Sequence, residues 1–198
     1  MLAETHKLIA RYIYEALQRE LNIDLNYNSF RHGSVAPDIY PFMLFMDHTP
    51  RGTMNLVERY MDQLSGSIWL ENDKMIDKFS FKLGVVIHFV ADYFCEAHNA
   101  KRYKNLFLHF AYERRLRDRF KRHMEKFIPL SVILNAGGWE IEGSLRDYIT
   151  RRHNEYNSIK HSLYKDINYS LTVSMLVALN IAQRCLVNSD RTYLEKTA

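Results

Sequence analysis

Cysteine is nearly absent. The chain has two, Cys95 and Cys185, each inside an apolar stretch, and no Cys-x-x-Cys. That excludes a disulfide framework and a thiolate zinc module. Glycine and proline are scarce as well, at 7 and 4 in 198 residues. So few turn-formers argue against many short strands and for a few long helices. No apolar run reaches the ~18 residues of a spanning helix. The start, Met1-Leu2-Ala3-Glu4-Thr5-His6-Lys7, lacks the basic and apolar regions of a secretory leader. The expectation is a cytoplasmic protein with no transmembrane segment. The formal charge is only +4, a bias too small to indicate nucleic acid by itself.

What is present is core-forming material. Hydrophobic residues make up 47% of the chain and aromatics 13%, enough for one domain spanning 1–198. Helical periodicity runs through Thr5 to Leu21, Met54 to Leu64, Lys74 to His98, Tyr103 to Phe127, Ile141 to Ile159 and Leu163 to Val187. Asn22 to Ser34 is polar and reads as a loop. Pro37 biases Ala36 away from the α region, so Asp38 is expected on an extended turn. Pro129 closes one helix, Leu130 to Asn135 suggests a short helical turn, and Gly137-Gly138 is the clearest break. The fold class is all-α: a single multi-helix domain of roughly seven helices around a buried central helix.

That central helix carries the chemistry. His88 and Asp92 are four apart, one turn apart on one helical face, so an imidazole and a carboxylate can reach one cation together. His98 follows on the same predicted helix, and His109 and Glu113 repeat the spacing on the next. A buried hydrogen-bonded pair is the metal-free alternative for His88 and Asp92. It is disfavoured, because an apolar helix that buries a carboxylate needs a compensating charge, and no Lys or Arg lies between Lys82 and Lys101. Upstream stand His6, Asp38 and His48. Each alone reads as an ordinary residue: His6 half-buried on an amphipathic helix, Asp38 in a turn or helix cap, His48 capping a loop. Imidazole and carboxylate donors without thiolates suit a hydrolytic zinc site. The acids Asp38, Asp92 and Glu113 contribute −3. Two Zn²⁺ would leave +1 and three would leave +3, a field suited to a phosphate ester.

With these residues in this order, the chain resembles the zinc-dependent phospholipase C family, related to the S1/P1 nucleases. Gly33-Ser-Val-Ala-Pro-Asp38 looks like the family's Gly-x-x-x-Pro-Asp turn, and His48 like the histidine that follows it. Gly84-x-x-x-His88-x-x-x-Asp92 with His98 looks like its central helix, and His109-x-x-x-Glu113 like the next one. The resemblance runs through Glu113. It implies a metal set of His6, Asp38, His48, His88, Asp92, His98, His109 and Glu113, holding two or three Zn²⁺ per chain. Asp38, His48, His88 and Asp92 would hold one ion, and His98, His109 and Glu113 a second. Asp92 would bridge to a third, shared with His6, which an N-terminal amine completes in secreted members. The resemblance also implies Asp38 as the catalytic carboxylate at the attacking water, and Phe45 as an aromatic of a choline pocket.

The implied activity is that of a zinc-dependent phosphoric ester hydrolase acting on a phosphodiester through a metal-activated water. The substrate would be a phospholipid headgroup or small phosphodiester. An S1/P1-like nuclease is the less favoured alternative, and a non-catalytic metal-stabilised helical protein is the third. His32, His123, His153 and His161 read as surface residues. Cys95 reads as core, and Glu96 as either a partner to a ligand histidine or solvated. The run Arg114 to His123 reads as a charged helix face rather than a lipid or nucleic-acid patch.

Overall fold

The computed structural model describes the backbone of residues 1–67, 73–123 and 140–197, and their side chains except those of 102, 123 and 189–197. Among these residues every regular element is a helix, as the sparse turn-formers require. The features expected at Pro129, Leu130 to Asn135 and Gly137-Gly138, and the end of the helix expected to reach Phe127, lie outside the described residues.

Helix α1 (Ala3–Leu21) buries Ile9, Ile13, Ala16 and Leu17, and stops at Asn22, whose left-handed φ of 51° ends it. Helix α2 (Tyr27–Gly33) lies where the composition suggested a loop. The Asn26 side chain accepts from the Ser29 amide at 3.0 Å, capping an otherwise open N-terminus, and Phe30 supplies a fully buried anchor. Two short helices follow, α3 (Ala36–Ile39) and α4 (Pro41–Leu44), each with a proline near its N-terminus. Asp38 therefore sits in a helical turn rather than on extended chain. Pro37 is tolerated there because the first turn needs no amide donor from it. Helix α5 (Pro50–Ser65) comes next.

Helix α6 (Asp73–Tyr93) is the centre of the fold, buried almost all round from Leu83 onward and packed by α1, α2, α5 and the last helix. It is shorter than the sequence suggested. The chain leaves it after Tyr93, passes through extended Cys95 and re-forms as α7 (Glu96–Asn99), so His98 stands on a separate turn. A 3-10 turn (Lys101–Lys104) leads to α8 (Leu106–His123), and then come α9 (Leu145–Ser158) and α10 (Leu163–Thr197). Ser144 caps α9, accepting from the Arg146 and Asp147 amides.

Contact between α2 and α6 is backbone to backbone at two glycines. A Cβ on Gly33 would stand 2.0 Å from the Phe81 carbonyl oxygen, and one on Gly84 2.3 Å from that of Phe30. Only glycine lets the helices approach so closely.

One expectation about length fails. Within α10, Leu163–Asn188 is long and apolar enough to cross a membrane by length and composition. In this fold 67% of its most apolar window is buried, and it packs on α1, α5 and α6 as core. Near its start, buried Asp166 ties four helices together. Its carboxylate accepts from the Tyr112 hydroxyl on α8 at 2.7 Å, the Tyr156 hydroxyl on α9 at 2.8 Å and the Glu96 amide on α7 at 2.8 Å. Burial pushes the Asp166 carboxyl up, and these donors pull against it. Asp166→Ala strands three donors and is expected to cost about 3 kcal/mol, while Tyr112→Phe and Tyr156→Phe cost about 1 kcal/mol each. Urea unfolding of the three variants checks both figures.

Candidate metal centre

Helix α6 delivers two donors. Asp92 is fully buried, and His88 sits one turn before it, its Nε2 3.3 Å from Asp92 Oδ2. The other ring nitrogen fixes the tautomer. His88 Nδ1–H donates to the Ser34 carbonyl at 2.9 Å, and a carbonyl can only accept. In the neutral ring Nε2 therefore carries a lone pair. That lone pair faces the carboxylates of Asp92 and Asp38, the latter 3.6 Å away. Acceptors pointed at one another at the buried floor of a cleft are what a cation between them would relieve. A backbone carbonyl on the far nitrogen is also how metal-binding histidines are oriented. The glycine contact between α2 and α6 puts Ser34 within reach.

The α3 and α4 segment brings in the next two. Asp38 is partly exposed, with Oδ2 4.0 Å from His6 Nε2. His48 Nδ1 lies 2.8 Å from Asp92 Oδ2 and 3.3 Å from His88 Nε2. Asp38, His48, His88 and Asp92 form one group whose donor atoms all lie within 4.8 Å of one another. Helices α7 and α8 build a second group beside it. His98 Nε2 is 3.4 Å from Glu113 Oε1 and 3.4 Å from Asp92 Oδ1, and His109 Nε2 is 2.8 Å from Glu113 Oε1. His6, from α1, stacks on His88 with ring centroids 3.9 Å apart. Its buried Nε2, 3.3 Å from Asp92 Oδ1, makes no well-directed hydrogen bond. The other seven candidate donors thus gather with Asp92 in two adjoining groups.

Two further groups stand among these donors: the N-terminal amine, which the resemblance pointed to for a third site, and Cys95. The Met1 α-ammonium donates to Asp92 Oδ1 and lies 3.0 Å from His98 Nε2 and 3.2 Å from Glu113 Oε1. No side-chain pattern announces a backbone amine. Cys95, read as core, is fully buried, and its sulfur also lies within 4.8 Å of the donor atoms of His98 and Glu113. Its position follows from the helix break after Tyr93, which the periodicity conceals.

Other expectations change. His153 Nε2 lies 3.1 Å from Asn99 Oδ1, and His161 Nδ1 3.5 Å from Glu96 Oε2, so both brace α7 instead of lying free on the surface. Glu96 accordingly pairs with His161. Phe45 is 88% exposed and stands outside the cleft, so it forms no wall of a headgroup pocket here. His32 is exposed, 3.0 Å from the Tyr40 hydroxyl. The centre opens into a cleft of about 620 Å³ whose lining includes Met1, Asp38, His48, His98, His109 and Glu113.

The site's electrostatics are those of an anionic cage. Among the described residues, the ion pairs of Asp92 run to histidines and to the Met1 ammonium. Burial opposes ionisation of Asp92 and Glu113, yet these neighbours hold both carboxyls well below the usual range. Burial would lower the Met1 amine, but Asp92 and Glu113 carry it well above its usual value. Burial, then the charge of His88, brings His6 down to about 4, so its imidazole is neutral near pH 7. Burial alone would lower His98, but Asp92 raises it.

These shifts fix the pH behaviour of the metal-free chain. The folded value of His6 lies below its ordinary 6.5, so the unfolded chain binds more protons between pH 6.5 and 4. Stability therefore falls on acidification through that window. Asp92 and Glu113, also depressed, lose their contributions at still lower pH. His98, being raised, contributes in acid and loses that contribution as pH rises through its folded value. Chelator-treated protein is expected to lose on the order of 3 kcal/mol through His6 from pH 6.5 to 4, and His6→Gln to flatten that segment. Urea titrations across the range read both.

A model of the zinc-dependent phospholipase C family matches residues 5–163. No curated protein and no solved structure matches the chain. The matched span contains every candidate side-chain donor from His6 to Glu113, and continues through α9 to the first residue of α10. With more than half its length under that match and an all-helical fold around a histidine–carboxylate centre, the chain belongs to the zinc-dependent phospholipase C family.

Proposed function

We propose that the chain hydrolyses a phosphodiester at a zinc centre held by the donors around Asp92. Asp38, His48, His88 and Asp92 hold one ion, and His98, His109 and Glu113 a second. His6 and the Met1 amine share a third with Asp92. The observation that carries this reading is the His88 lone pair, locked by Ser34 toward buried Asp92 and toward Asp38 at the cleft. The Met1 ammonium and His48 offset part of this crowding of acceptors, and a divalent ion would offset the rest. Sulfur plays little part in the donor set, which suits zinc in a hydrolytic site. Bound zinc would supply the Lewis acid that polarises a phosphoryl group and acidifies water.

The chain's own contributions follow from placement. Asp38 is the one carboxylate of the centre with appreciable exposure, 26%, and it lines the cleft. That exposure supports Asp38 as the carboxylate at the attacking water, the role the family resemblance implies. Asp92 and Glu113 are nearly sealed from solvent and stay ionised, fixing negative charge where cations are to be held. His109 and Glu113 lie one turn apart on rigid α8, so their geometry is set before substrate arrives. Ile39, Leu44, Leu106 and Phe110 are among the apolar residues of the cleft wall, with Leu2, Ala3 and Met46.

Purified protein is expected to contain two or three zinc ions and to hydrolyse bis-p-nitrophenyl phosphate in preference to single-stranded DNA. Asp92→Asn should lose more than one ion, while His32→Ala loses none. Equal zinc content in the two, by mass spectrometry of the acid-digested proteins, would defeat the bridging role. Asp38→Asn should reduce turnover by about 10²-fold or more. A zinc-loaded wild type inert to both substrates would leave the site structural.

The Met1 amine gives a separate test. It must shed its proton to act as a ligand. A Gly-Ser extension ahead of Met1 moves the amine out of the centre, and should lower zinc content by one ion while the other two remain.

A further inference from the structure

We infer that Cys95 is a metal ligand, its thiolate joining His98 and Glu113 on the ion at the inner end of the second donor group. The inference rests on the zinc-centre reading above, and adds to it a donor of a different chemical kind. Cys95 does not stand alone. It is fully buried, and its sulfur lies within 4.8 Å of the donor atoms of His98 and Glu113, which are themselves 3.4 Å apart. The Met1 nitrogen converges on the same two atoms, 3.0 Å from His98 Nε2 and 3.2 Å from Glu113 Oε1. Donors from α7, from α8, from the start of the chain and from the break before α7 thus meet in one place.

The two cysteines of the chain differ in what their sulfurs do. Cys185 donates to the Ser67 carbonyl at 2.8 Å, as a satisfied core thiol does. Among the described residues the Cys95 sulfur makes no hydrogen bond. Cys95 holds the N-cap position of α7, yet its side chain does not cap that helix. His98, His109 and Glu113 line the cleft and Cys95 does not. A sulfur ligand therefore closes the inner side of the group and leaves the cleft side to substrate. Charge favours it there. A divalent ion held by Glu113 and neutral imidazoles keeps one positive charge uncompensated, and a thiolate removes that charge where burial makes it costly. Zinc is bound by sulfur as well as by nitrogen and oxygen donors. As the ion binds, the thiol proton leaves to solvent and the sulfur–metal bond takes its place.

X-ray absorption at the zinc edge, with the optical spectrum of the cobalt-substituted chain, tests the inference without relying on turnover. The wild type should show a zinc–sulfur shell at about 2.3 Å and, with cobalt, a near-ultraviolet sulfur-to-metal charge-transfer band. Cys95→Ser should abolish both signals. It should also weaken the hold on one zinc by at least about tenfold against a competing chelator, with the remaining zinc unaffected. Cys185→Ser should keep both signals. Wild-type zinc with only nitrogen and oxygen neighbours overturns the thiolate ligand, and that measurement needs no variant to fold. Signals that survive Cys95→Ser overturn it as well. Bis-p-nitrophenyl phosphate separates this inference from the reading beneath it. Hydrolysis by a chain whose zinc has no sulfur neighbour removes the ligand and leaves the hydrolase. A sulfur-ligated chain inert to the diester does the reverse. A chain that takes up neither zinc nor cobalt overturns both.

Discussion

The structure depends on one buried negative charge. Asp92 is sealed inside a helix buried almost all round, where an unpaired carboxylate would be ruinously expensive. Four groups that can bear a hydrogen surround it, the Met1 ammonium and the rings of His6, His48 and His98, while His88 turns its Nε2 toward it. These groups arrive from α1, from the segment after α4, from α6 itself and from α7. The helices must therefore dock in one arrangement for the charge to be tolerated. Imidazoles at neutral pH compensate poorly for several acids, and the His88 tautomer turns a lone pair inward. The same constraint that organises the fold thus leaves it short of positive charge, which is the condition a divalent ion relieves.

Much of this was legible in the sequence where one helix carries the pattern. His88 with Asp92, and His109 with Glu113, are helical neighbours by spacing, and the structure keeps each pair on one face. Legibility ends where elements are short. Helices α3, α4 and α7 have four residues each, too few for any periodicity. Asp38 and His98 were therefore assigned to the wrong local structure even though their neighbours in space were named. α2 was missed because an Asn26 cap and one buried Phe30 outweigh a polar composition. The Met1 amine carries no side-chain signature at all.

The second half of the chain contributes few donors but sets the donors' positions. Asp166 reaches the backbone of α7 through the Glu96 amide, and reaches α8 and α9 through two tyrosines. His153 and His161 hold the same turn from α9 and the loop after it. None of these residues forms a recognisable motif, since a tyrosine paired to a distant aspartate looks like any other tyrosine. The family match extends to residue 163, past the last candidate donor, in keeping with a centre whose geometry is held from outside.

The glycine seam between α2 and α6 has a consequence for how this family's chains can vary. Gly84 lies one helical turn before His88, and Gly33 directly precedes Ser34, so this close backbone approach adjoins the bond that aims the imidazole. A single methyl group at either glycine would meet a carbonyl oxygen well inside van der Waals contact. The helices would part and the Ser34 carbonyl would withdraw. The ring would then be free to rotate its lone pair out of the cage. Alanine there would disarm the centre while leaving every ligand in the sequence intact, so a census of conserved histidines and acids would pass such a chain as competent.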